Sequence, residues 1–244
     1  MFSTRIRFDS FSASNSVGPG HAENQDSLFT DPSTLTFAVA DGVGGYQGGK
    51  EASELAIGAI RNNAGLIRDE ASLSSVISEI HEQLKQTANS LHYPGMGTTI
   101  AVAKIIPKDE SRGKFITGNT GDSPILYFPQ DNADEIVKVY SDDSYRGSSP
   151  SSMFAITQYL GIDDSKFELA VHTQTREYTS GDILMLCSDG VTDNLQPSNS
   201  GYLPRRSANL PELVRRYGSA KKIVEAAIEA GVKADDMTVV LVFL

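Results

Sequence analysis

The spacing of the apolar runs limits the fold of this chain more than any other feature. Short, β-branched stretches recur at 35–40 (LTFAVA), 98–105 (TTIAVAKI), 114–118 (KFITG), 124–128 (PILYF), 135–140 (EIVKVY), 167–172 (FELAVH), 183–187 (ILMLC) and 237–243 (MTVVLVF). Each has strand length, and many are joined by hairpin-length links. Segment 4–9 is a candidate edge strand. Helical spacing is confined to blocks: Ala52, Leu55, Ala56, Ala59 and Ile60; then Leu73, Val76, Ile77, Ile80, Leu84, Ala88 and Leu91; then Ala220, Ile223, Val224 and Ala227 behind Ser219 as N-cap. A shorter helix is expected from Pro211 to Gly218. Strands that outnumber helices, with the helices in blocks, predict an α+β fold of largely antiparallel sheets and not a doubly wound parallel sheet. A chain of 244 residues has room for one large domain or two small ones.

A second pattern lies over the first. Aspartates stand at strand ends: Asp26 in ENQDSLF, Asp41 in FAVADGVGG, Asp122 in TGNTGDSPILY, Asp189 and Asp193 in ILMLCSDGVTD, Asp235 and Asp236 in ADDMTVVLV. One such aspartate is an ordinary turn former. Several at the rim of one sheet converge, and converging carboxylates resist joint ionisation unless a cation neutralises them. Carboxylate and carbonyl oxygens suit Mg or Mn. With four histidines and one cysteine, none in a ligand-like pair, the chain lacks what zinc needs. Gly42 lets the backbone approach closely enough for its carbonyl to serve as a ligand. Two such ions close together would activate a bridging water and clamp a phosphoryl group during in-line displacement. Residue type and spacing thus lead to a hard-metal carboxylate site suited to phosphate ester hydrolysis.

The charge balance agrees. A formal net charge of −10 argues against nucleic acid or an anionic membrane as partner. Cys187, alone and inside an apolar run, permits no internal disulfide and reads as a small buried hydrophobe in a reducing compartment. No apolar run reaches the length of a membrane span, and the N-terminus MFSTRIRFDS has no signal-peptide core. The expected location is cytoplasmic.

Taken in order, ENQDS, VADGVGG followed by GGKEAS, GMGTTIAVA, GNTGDSPILY, AITQYLG, LCSDGVTDNL and DDMTVVLV resemble the metal-dependent protein phosphatases, the type 2C serine/threonine family, and its bacterial-type branch in particular. The resemblance runs from about residue 18 to 243 and implies one catalytic domain over 1–244. It implies a sandwich of two mainly antiparallel sheets with helices on the outer faces and metals at one end. By position, Asp41 corresponds to the carboxylate that bridges two ions, with the Gly42 carbonyl on the first. Asp189 and Asp235 correspond to ligands of the second, and Asp26 to the acid of the N-terminal motif near the metals. Asp122 and Asp193 correspond, with Asp189, to a third and weaker metal. The implied cofactors are two Mg or Mn ions with a third weaker one in some members. The implied mechanism is direct attack of metal-bound hydroxide on a phosphorylated serine or threonine protein, without a phosphoenzyme and usually in opposition to a protein kinase. The polar stretch 141–152 falls where the family carries its flap.

Departures from the family pattern matter as much. His21 stands where an arginine usually grips the substrate phosphate. Two readings stay open: a weaker, pH-dependent phosphate contact, or an ordinary loop residue with the phosphate held by metals or by Arg5 or Arg7. Val43 replaces a histidine common in eukaryotic members, and Tyr46 one common in bacterial members. Pro124 replaces an arginine, Asp143 a frequent histidine, and Asp236 the usual Asn, which adds a negative charge unless it turns away. The alternative function is a pseudophosphatase, a module that binds phosphoproteins without turnover.

Overall fold

The computed structural model describes residues 6–14, 23–43, 48–132, 134–145, 155–162, 168–195, 209–231 and 233–244. His21, Arg5, Tyr46, residues 146–152 of the flap-like stretch, and Arg205 and Arg206 of the 196–209 loop lie outside the described residues.

Two five-stranded sheets form the body. One runs β1 (Arg7–Ser14), β12 (Asp236–Phe243), β11 (Ile183–Cys187), β6 (Ile125–Phe128) and β7 (Val137–Lys138). The other runs β10 (His172–Thr179), β5 (Arg112–Thr120), β4 (Ile100–Pro107), β3 (Thr36–Asp41) and β2 (Asp26–Asp31). Every described strand pair is antiparallel. A short hairpin of β8 (Ser144–Tyr145) and β9 (Ala155–Ile156) stands apart.

Alternation along the strands builds three layers of core. Phe37, Val39, Ala101 and Phe115 of one sheet meet Leu184, Leu186, Val240 and Val242 of the other between the sheets. Opposite faces of the same strands pack outward. Ala38, Val102 and Ile116 lie under α1 (Gly49–Asn63) and α2 (Glu70–Leu91). Met185, Val239 and Leu241 lie under α3 (Asp189–Leu195), α4 (Leu210–Tyr217) and α5 (Ala220–Ala230). The expected α+β sandwich flanked by helices is what the chain forms. Among the described residues no helix is long and apolar enough to cross a membrane.

Two sequence expectations change. The apolar run 167–172 is not a strand: described residues 168–171 lead irregularly into β10, whose sequence HTQTREYT is largely polar. β10 is an edge strand and needs only one good face, so polarity does not disqualify it. Leu169 and Val171 instead pack from the lead-in against the core under α1 and α2. β2, absent from the strand expectations, pairs in full with β3, from Asp26↔Asp41 to Asp31↔Thr36.

Candidate metal centre

The ends of β2, β3, β11 and β12 share one pole of the sandwich, and the aspartates stand there. Asp41 closes β3. Its amide donates to Thr99 Oγ1 (3.0 Å), and its carbonyl accepts from the Thr99 amide (2.8 Å) and Thr98 Oγ1 (2.8 Å). Thr99 Oγ1 lies 2.6 Å from Ser123 Oγ, beside Asp122. The backbone of Asp41 is therefore fixed on three sides before any ligand arrives. Asp26 opens β2 opposite Asp41 in register. Its Oδ2 accepts from Ser188 Oγ (2.8 Å), and Ser188 Oγ accepts from the Thr238 amide (3.0 Å). That chain of bonds ties the N-terminal motif to β11 and β12.

Asp41 and Asp189 were expected to end strands before glycine turns. Asp41 does so. Asp189 differs: β11 stops at Cys187, Ser188 intervenes, and Asp189 opens helix α3. Glycine serves close approach in both places. A Cβ on Gly42 would lie 2.3 Å from the Gly49 carbonyl oxygen, and one on Gly190 would lie 2.3 Å from that of Asp236.

The acids act on one another through space. Burial, then the charges of Asp26, Asp189, Asp235 and Asp122, push the Asp41 carboxyl well above the ordinary range. Burial pushes Asp26 up to about 7 against hydrogen bonds from Thr238 and Ser188, with Asp236 and Asp189 adding to the rise. Asp122 is likewise pushed up to about 7, by burial and then by Asp189. Asp235 rises through burial and then Asp189. Such mutual suppression marks carboxylates gathered without enough positive charge.

Lys233, which the sequence reading passed over, partly supplies that charge. Its Nζ lies 2.7 Å from Asp189 Oδ2, 2.7 Å from Asp235 Oδ2 and 3.3 Å from Asp193 Oδ2. Burial pushes the ammonium pKa down, but the three carboxylates outweigh burial and raise it. The available signal was a lone cation two residues before a charged Asp pair. Asp236 has turned away from this group: its Oδ2 accepts from the Gln25 amide (2.7 Å).

The donor chemistry of these acids suits a hard cation. Among the described residues no three acids surround a shared empty point at ligand spacing. Three of them do converge on the Lys233 ammonium, which stands in for a cation. Asp26 Oδ1 and Asp236 Oδ1 are buried with no hydrogen-bond partner. All the donors are oxygens, as Mg or Mn requires. The one thiol is no competitor, since Cys187 is fully buried and burial raises its pKa well above the usual value.

Comparison with known proteins places the chain in a family. The family described as Stage II sporulation protein E (SpoIIE) matches residues 31–243. The chain belongs to this family of metal-dependent phosphatases. Among curated relatives, a serine/threonine phosphatase stp of Listeria welshimeri is 25% identical over 79% of the chain and 81% of its own length. The serine/threonine protein phosphatase PstP of Mycobacterium tuberculosis is 26% identical over 95% of the chain, which spans 44% of that relative. Solved structures share the fold: the Mycobacterium tuberculosis phosphatase PstP/Ppp superposes with a TM-score of 0.75 at 23% identity, covering 98% of both chains. The PstP catalytic domain in complex with 2 manganese ions gives a TM-score of 0.74 at 22% identity, covering 98% of this chain and 97% of that one. This SpoIIE-family chain is a serine/threonine phosphatase of the type 2C class.

Proposed function

We propose that the chain hydrolyses phosphoserine and phosphothreonine in protein substrates directly, with two Mg or Mn ions held at the aspartate pole, and that it works in the cytoplasm against a protein kinase. One observation carries the reading. Burial and the neighbouring charges of Asp26, Asp189, Asp235 and Asp122 hold the Asp41 carboxyl well above its ordinary range, and a strongly positive partner relieves that.

When bound, such an ion pair supplies Lewis acidity toward the phosphoryl oxygens and lowers the pKa of water so that it attacks phosphorus near neutral pH. The residues have separable tasks. Asp41, fixed by Thr98 and Thr99, is suited to hold both ions, and the Gly42 carbonyl to join on the first. Asp189 and Asp235 suit the second. Asp26 spends one oxygen on Ser188 and keeps Oδ1 available as an acceptor for a water. No covalent intermediate is needed, and the buried Cys187 is in no position to form one.

The test is hydrolysis of a phosphothreonine peptide with Mn, with chelator, and by Asp41→Asn. Mn-dependent turnover is expected, abolished by chelator and lowered at least ~10-fold by Asp41→Asn, since a ligand costs no less than its outer-shell partners. Turnover in chelator would reject the metal mechanism. No Mn-dependent turnover above the Asp41→Asn background would favour a phosphoprotein-binding module.

A further inference from the structure

The aspartate pattern does not explain the cation that stands within it. Lys233 is no ordinary surface lysine, which would meet one acid in water and gain little. It meets three, two on α3 and one just before β12. Its charge also reaches Asp122, whose carboxyl it pulls down against burial and Asp189.

The perch is built. Asn194, fully buried on α3, accepts from the Lys233 amide at Oδ1 (2.9 Å). Its Nδ2 donates to the Lys233 carbonyl (3.0 Å) and to the Gly190 carbonyl (2.7 Å). Backbone bonds on both sides of residue 233 therefore aim the side chain, and the entropy of a long flexible stem is partly met in advance. There is also charge to offset. Asp26, Asp41, Asp122, Asp189, Asp193 and Asp235 outnumber the four positive charges of two divalent ions.

Resting on the two-ion reading above, we propose that Lys233 is a tethered third cation. Its ammonium takes the place against Asp189 and Asp193 that a weaker third metal ion would need. This chain therefore works with two ions and its own lysine. The contact with Asp235 yields when an ion binds there, and the ammonium keeps Asp189 and Asp193.

The test counts ions and does not depend on turnover. Mn bound at saturation is measured by equilibrium dialysis for the wild-type chain, Lys233→Met, Lys233→Arg and Lys233→Met with Asp193→Asn. The expected counts per chain are two, three, two and two. In chelator, Lys233→Met is expected to melt below the wild type, because three acids lose their counter-charge, and Mn should restore it. Three ions on the wild type, or two on Lys233→Met, overturn the proposal while leaving the metal centre intact. No Mn on the wild type overturns the metal centre itself. If Lys233→Met does not fold, Asp193→Asn in the otherwise native chain decides: two ions retained supports the lysine, and loss of an ion sinks it.

Discussion

At the residue scale, the site depends on backbone approach as much as on charge. Gly42 lies against Gly49 so closely that an added Cβ would meet the Gly49 carbonyl oxygen at 2.3 Å and its carbon at 2.5 Å. Both neighbours are backbone, so neither can rotate aside. Gly42→Ala must move the start of α1 or the end of β3, at a cost of about 1–3 kcal/mol, the usual range for overpacking. Urea unfolding with and without Mn checks this. The midpoint is expected to fall in both conditions, and Mn is expected to restore less of it than in wild type, because the Gly42 carbonyl moves with the strain. An unchanged midpoint would mean that the α1 entry accommodates a methyl group freely. The sequence made Gly42 and the aspartates legible because each breaks the local strand pattern. It did not disclose Lys233: a lysine beside charged residues is the commonest of surface patterns, and only the fold brings α3 to meet it.

At the element scale, Asp143 joins three pieces of structure. Its Oδ2 accepts from the Gly121 amide (2.9 Å), in the turn that carries Asp122. Its Oδ1 lies 2.9 Å from His172 Nε2 at the start of β10. Its carbonyl accepts from the Thr157 amide (2.7 Å) just past β9. The family's frequent histidine is missing at 143, yet an imidazole reaches the same carboxylate from β10. Asp143→Ala removes both side-chain bonds and leaves the Gly121 amide without its acceptor, a loss of about 1–3 kcal/mol. Hydrogen exchange is expected to quicken at Gly121 by tenfold or more while β11 and β12 keep their protection. Asp143→Asn, which keeps an acceptor oxygen, is expected to recover most of the effect. Equal exchange in all three proteins would show that the turn holds itself. Elements were legible where periodicity was strong: β11 matches the apolar run 183–187 residue for residue, and α4 runs from beside Pro211 to its cap at Gly218. They were illegible where tertiary contact overrides local pattern. DSLFTD becomes β2 because β3 offers it a full antiparallel partner. DGVTDNL becomes α3 because Asn194 and the core residues Val191 and Leu195 anchor it.

At the scale of the whole molecule, the crowded pole sets how stability responds to pH. Asp26 and Asp122 have carboxyls raised to about 7 in the folded chain, by burial first and then, net of neighbouring hydrogen bonds and Lys233, by nearby carboxylates. Asp41 and Asp235 shift the same way. In the unfolded chain such groups lose their protons near pH 4. Between about pH 4 and 7 the folded state thus binds more protons than the unfolded state, and the linkage relation makes stability fall as pH rises through that interval. Asp31 has the opposite sign: hydroxyls of Thr34 and Ser33 hold its carboxyl down to about 2, so its contribution is lost only below about pH 4, outside the window. In chelator, the melting temperature is therefore expected to drop by several degrees from pH 5 to pH 7.5. With saturating Mn the drop should vanish or reverse, because a cation prefers the ionised carboxylates and competes with protons for them. Asp26→Asn should flatten part of the slope in chelator, which assigns that part to this pole. A chelated protein whose melting temperature is level from pH 5 to pH 7.5 would show that the carboxylates ionise independently, and would remove the electrostatic ground for placing the ions among them.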